Sequence, residues 1–251
     1  MNKISQRIEQ IKREGYPLDF GEVFNNAFEN YKKIAIFAGS VLLLLCSFLM
    51  LIIAMFGMVK IIGIEELKSM KDNDFAIFKD PNNIYFVYLQ IISVIFIVLI
   101  APFTTAFLKM AQSAARDEEF KTSEMFSFYK WPYVKEIILA TVILTLLDTA
   151  ISTAAVSVGV AFAGSLFKIA ITLFTLLTLP LIVFQNLTAI EAIKTSIAVV
   201  AKNPLVIFAL LVVGLIGALV GFVGCIIGVF FTIPIVYSIN YCLYEAIFEK
   251  E

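Results

Sequence analysis

One acid stands alone inside a long apolar stretch of this 251-residue chain. Asp148 is the sole charged residue between Glu136 and Lys168, and Thr141, Thr145, Thr149 and Ser152 recur around it at helical spacing. An acid in such a stretch could pass a proton, hold an ion or touch a substrate. It costs about 2.5–3.5 kcal/mol at mid-span, and each good apolar neighbour returns about 0.3–0.6 kcal/mol. The stretch can therefore carry it, provided that it faces protein or water and not lipid. The competing role is a protonated or hydrogen-bonded side chain that joins helices. No histidine, lysine or arginine is read at a similar depth to complete a relay, so joining is the expectation. Asp148, Thr145, Thr149 and Ser152 form the candidate intramembrane polar site.

Other chemistry is thinly represented. The chain has no histidine, which removes the commonest general base and metal ligand. Its three cysteines, Cys46, Cys225 and Cys242, are isolated in apolar runs and read as small hydrophobes. No acid–base pair, nucleophile–base pair, phosphate loop or metal cluster is visible. No catalytic, cofactor or metal residue is therefore assigned, and no cofactor is expected. A net charge of -1 gives no reason to expect a nucleic-acid partner.

The elements that must position Asp148 are membrane spans. Hydrophobic residues make up 61% of the chain and charged residues 16%, against about 45–50% and 25% for soluble domains. Asn203 to Tyr244 carries no charge over 42 residues. As one helix that run would be roughly 63 Å long, twice the bilayer's hydrocarbon core of about 30 Å. It must cross twice, turning near Gly221 and Gly224. Four further spans are read at Ile34 to Val59, Tyr85 to Leu108, Ile137 to about Phe162, and from after Lys168 to near Phe184. A Gly164-Ser165 turn is expected between the third and fourth, with Lys168 reaching to the interface. The polar loop from Lys60 to Ile84 turns at Asp80-Pro81-Asn82. The first 33 residues are polar, and no cleavable signal peptide is visible in them.

Three of these pairs share a pattern. Asp19 to Lys33 reads as an amphipathic helix ahead of the first span, and Thr188 to Lys202 as another ahead of the fifth. The two align without a gap, and Thr188-x-x-Glu191 has the spacing of a capping box. A weaker counterpart starts at Ser123-Glu124 and breaks at Trp131-Pro132. The second helix of each pair carries a proline: Pro102, Pro180 and Pro234. Each is expected to kink its helix. The expected fold is an all-α membrane protein, with six transmembrane helices as three hairpins, each preceded by an interfacial amphipathic helix. Residues 1–18 form an N-terminal surface helix, and 19–251 a single domain with repeats at about 19–108, 122–184 and 188–247. Gly214, Gly217, Gly221, Gly224 and Gly228 are spaced to let helices of the last hairpin approach closely. Lys and Arg number fourteen on the side of the termini and five on the other. That places both termini in the cytoplasm.

The Leu179-Pro180 step, the T-x-x-E-A-I-K-x-S segment from Thr188 to Ser196, the K-N-P after it and the Gly-rich last hairpin resemble a broad group of uncharacterised bacterial six-helix integral membrane proteins. They are similar to the membrane domain attached to some glycerophosphoryl diester phosphodiesterases. The resemblance implies a fold and a bacterial inner (plasma) membrane location. It implies no activity, because that enzyme's soluble catalytic domain has no counterpart here. The functional expectation is a non-enzymatic scaffold or accessory subunit. Its expected partners are membrane lipids, another membrane protein or a second copy. The alternative is a small transporter or channel-like permease with a path past Asp148.

Overall fold

The computed structural model describes residues 3–52 and 84–249, and among them there are helices and turns but no strand. The end of the first apolar run and nearly all of the polar loop to Ile84 lie outside these residues. Six helical stretches are long and apolar enough to cross a membrane: Phe20–Leu51, Val87–Ala115, Tyr133–Ser157, Phe162–Gln185, Pro204–Val223 and Ile227–Phe248.

Helix α1 (Lys3–Glu14) ends where Gly15 takes a positive φ. It buries Ile8 and Ile11, and packs on α7 (Ala189–Val200). The Tyr16 hydroxyl donates to the Val199 carbonyl at 3.1 Å, and the Asn203 amide donates to the Tyr16 carbonyl at 2.7 Å. Burial pushes the Tyr16 phenol above its ordinary pKa.

Helix α2 (Phe20–Ile52) starts where the Asp19 carboxylate accepts the Glu22 N–H at 2.7 Å. It runs 33 residues without a break, about 50 Å. The expected surface helix and the first span are therefore one helix. Ahead of the fifth span the expected surface helix stays separate, because α7 stops and α8 (Pro204–Val220) starts after Asn203. The gapless alignment explains why. Pro204 corresponds to Ala35, and a proline pushes the residue before it out of the helical region. Asn203 sits at φ -136° and ψ 52°. Ala35 imposes nothing of the kind.

Helix α3 (Ile84–Ala115) passes through Pro102 without interruption. A 3-10 segment (Thr122–Tyr129) stands where the second amphipathic piece is expected, and α4 (Tyr133–Ser157) follows it. The next turn falls at Val158–Val160, earlier than Gly164-Ser165. Gly159 takes φ +78°, and Val160 N–H returns to the Ala155 carbonyl at 2.9 Å. Gly164 lies inside α5 (Ala161–Phe174), where an added Cβ would be 2.8 Å from that of Ala155. It serves close packing between α4 and α5.

The fourth span breaks at 175–177 before α6 (Thr178–Gln185), which contains Pro180. The sixth breaks between α9 (Cys225–Thr232) and α10 (Pro234–Phe248), with Pro234 opening α10. A 3-10 turn (Gly221–Gly224) joins the fifth and sixth spans. Each span packs on its neighbour in sequence: α2 on α3, α3 on α4, α4 on α5, α5 on α8, and α8 on α10. Helix α10 returns to α2, which closes the circuit, and also touches α3.

The end of the bundle that carries both termini, here the base, is densely filled. Phe107, Leu177, Leu181, Tyr241 and Tyr244 are fully buried there. Toward the far end, Leu44, Phe48 and Leu51 of α2 and most described residues of α3 before Pro102 are exposed.

Candidate functional site

Asp148 lies on the inward stripe of α4, in helical register with buried Ile137, Ala140 and Ala155. Its side chain is 26% exposed and accepts a hydrogen bond from the Lys168 ammonium at 3.0 Å. A cation therefore stands at its depth, contrary to the expectation that none does. The shifted turn is the cause. With Gly159 as the bend, Asp148 precedes it and Lys168 follows it by nearly equal lengths, so they meet across the hairpin. Thr145 and Ser152 flank Asp148 on the same face, and Thr149 lies about a quarter-turn away. All three are partly buried. Lys168 is 62% exposed, so the pair lies at the protein surface within an apolar stretch, where each charge offsets the cost of the other.

The prolines organise a second polar system. A proline removes one helical N–H and frees a carbonyl a turn earlier. Each time, a hydroxyl from another segment reaches the strand of backbone just before it. The Tyr129 hydroxyl donates to the Leu99 carbonyl at 2.9 Å, three residues before Pro102. The Ser196 hydroxyl accepts the Leu177 N–H at 3.1 Å, three before Pro180, and donates to the Phe174 carbonyl at 2.8 Å. The Tyr31 hydroxyl donates to the Phe231 carbonyl at 3.2 Å, three before Pro234. The donors lie on the 3-10 segment, α7 and the start of α2. Tyr129 lies ahead of the third span, Ser196 ahead of the fifth and Tyr31 at the start of the first.

Asn30 joins three elements at the base. Its amide donates to the Ala111 carbonyl at 2.6 Å and accepts from the Ser238 hydroxyl at 2.9 Å. Asn30 is 4% exposed and Ser238 fully buried. Glu136 of α4 accepts the Ala189 N–H at 2.8 Å, capping α7 from outside its own sequence. Within α7, the Glu191 carboxylate accepts from the Thr188 N–H at 3.2 Å and hydroxyl at 2.7 Å. These bonds hold the Glu191 carboxyl below its ordinary pKa. Asn186 caps α6 in the left-handed region at φ 54°.

The glycines of the last hairpin make backbone contacts. A Cβ on Gly221 would lie 2.5 Å from backbone atoms of Gly228 and Val229, and one on Gly228 would strike the Gly221 backbone. Gly214 faces the Ile239 side chain and Gly217 that of Ile235. Gly224 falls in the turn.

Sequence reasoning found Asp148 but missed Lys168, Asn30 and the three hydroxyls. Lys168 was detectable in principle, since an acid and a base at similar distances from one glycine suit a hairpin pair. The hydroxyls had no such signal. Tyr and Ser are common, and only the fold shows which carbonyl each reaches. Among the described residues, no three or more His, Cys, Asp or Glu side chains gather as metal ligands. No family model, curated protein or solved structure matches the chain.

Proposed function

We propose that this chain is a non-enzymatic scaffold or accessory subunit of a bacterial inner membrane, built as three hairpins and binding lipid or another membrane protein. Both termini face the cytoplasm, in line with the excess of Lys and Arg at the base. The three proline contacts support the hairpin reading, because each hairpin's break is served by the segment that leads the next. The weight of the functional reading rests on one observation. The base is packed through by Phe107, Leu177, Leu181, Tyr241 and Tyr244, all fully buried. A solute path would have to cross that layer. Its polar atoms are spent on structure: among the described residues, only Thr178 Oγ1 and Asn240 Oδ1 are buried side-chain atoms without a hydrogen-bond partner. The reading also fits the resemblance seen in the sequence, where a six-helix membrane domain accompanies a separate enzyme.

A permease is the second reading, and the Asp148–Lys168 pair at 3.0 Å favours it. The two readings separate in sealed liposomes. The scaffold reading expects proton and small-ion fluxes no greater than in empty vesicles. It also expects one lipid or protein species to leave native membranes with the chain in fixed ratio. Flux that depends on protein and is lost in Asp148→Asn would overturn it in favour of transport.

A further inference from the structure

A cleft of about 600 Å³ opens at the base between α3, the 3-10 segment, α4, α6 and the residue after α10. Lys109 of α3 and Arg116, the residue just after its end, line it. They are seven residues apart, two helical turns, so they share a face. The Lys109 ammonium donates to the Gln112 amide oxygen at 2.7 Å, and meets no carboxylate among the described residues. Arg116 reaches Glu249 at 3.4 Å and also faces Tyr241, and its five guanidinium donors exceed these two partners. The remaining wall carries Glu124 and the rings of Phe128 and Phe184. Phe184 is fixed from behind by Tyr241 and Tyr244, with ring centroids 5.6 and 5.0 Å away.

The cleft thus has a cationic wall on one element and an acidic, aromatic wall on others. Anions suit the first wall, and an ammonium suits the second through the carboxylate and the ring faces. Its depth is also informative. The second and fourth spans end at Ala115 and Gln185, the third begins at Tyr133, and the sixth ends at Phe248. All four terminate around the cleft, which sets it at the level of lipid headgroups. The abundant anion at that level is a phosphodiester.

We propose that this cleft binds a phosphate–ammonium zwitterion, with the phosphate between Lys109 and Arg116 and the ammonium beside Glu124. Phosphatidylethanolamine supplies that pair of charges from the membrane, and phosphoethanolamine supplies it from water. The inference deepens the lipid-binding reading above, and rests on it for the placement of the chain in a bilayer.

The test uses the purified full chain in detergent and counts bound ligand by native mass spectrometry. Dihexanoyl phosphatidylethanolamine, dihexanoyl phosphatidylglycerol and free phosphoethanolamine are titrated separately. The wild type is expected to bind the ethanolamine lipid at least about tenfold more tightly than the glycerol lipid, which lacks the ammonium. Lys109→Gln should weaken both lipids by about tenfold. Glu124→Gln should keep lipid binding and lose the preference. Binding of free phosphoethanolamine as tight as the lipid would assign the site to a soluble ligand of the same chemistry. Binding of the lipid alone would assign it to the membrane. Equal binding of the two lipids by the wild type would overturn the proposal, as would Lys109→Gln binding like the wild type. Lys109 has only an amide partner, so its replacement leaves the Arg116–Glu249 contact intact. Binding is read without any flux, so a protein found to transport could still pass this test, and a scaffold could still fail it.

Discussion

The base and the far end are held in different ways. At the base, large side chains fill the space between helices, and Asn30, Tyr31, Tyr129 and Ser196 tie backbone to backbone. At the far end, α2 leaves Leu44 70% exposed and Leu51 58% exposed. On a helix that spans a membrane, side chains exposed in this way face lipid. A bilayer's interior is as apolar as leucine, so nothing drives such side chains toward one another. Order inside a membrane has to come from close backbone approach, from filled space or from hydrogen bonds. The base uses all three. The far end uses chiefly the first, at Gly221 and Gly228 in the last hairpin and at Gly164 in the middle one.

The contrast can be broken most forcefully at Phe107. It is fully buried, with its ring centroid 5.1 Å from that of Tyr237. Phe107→Ala should destabilise toward the low end of the roughly 3–5 kcal/mol typical of buried Phe→Ala, because the reference environment is lipid and not water. Leu44→Ala should stay within about 0.5 kcal/mol. Denaturant unfolding of the two variants in the same detergent measures the gap, and equal losses would abolish the distinction between the two ends.

Gly221→Val probes a place where the far end is tight against backbone. The new Cβ meets backbone, which cannot swing aside as a side chain can. A loss of about 1–3 kcal/mol is expected. Gly217→Ala meets only the tip of Ile235 and should lose less. Thermal midpoints of the two rank the contacts.

The three hydroxyls sharpen the comparison further. Tyr31→Phe, Ser196→Ala and Tyr129→Phe should each cost about 0.6 kcal/mol, the average for a hydrogen bond between membrane helices. Their sum should be recovered in the triple variant if the breaks are independent, and exceeded if the circuit acts as a unit. Unfolding of all single and combined variants decides between these.

The smallest expected effect is at Glu191. Its carboxyl pKa is lowered in the folded chain by the Thr188 bonds. That contribution is complete above the unfolded value of about 4.3 and is lost as pH falls through the folded value. Thermal midpoints of wild type and Glu191→Gln should differ at pH 7 and converge on acidification. A gap that widens instead would show that the capping bonds do not favour the ionised form.

How far the fold could be read in advance varied from residue to residue. The capping residues Asp19 and Thr188 announced α2 and α7, because a polar residue before an apolar periodic run has few other uses. The length of the charge-free runs required crossings. The turn of the middle hairpin was misplaced, since two glycines stood near the bend. Only the assembled backbone shows that Gly159 bends while Gly164 packs. That misplacement hid the partner of Asp148.

Long uncharged runs determined from sequence that this chain is helical, with six stretches long and apolar enough to cross a membrane. Hydrophobicity sets that much because each residue contributes to it independently of its neighbours in space. The tertiary structure decided what the charges and hydroxyls are for. Lys168 against Asp148, Ser196 against the break before Pro180 and Lys109 in one cleft with Glu124 are relations between distant residues. A hydrogen bond or ion pair extends only about 3 Å, so its partner exists only once the helices have packed.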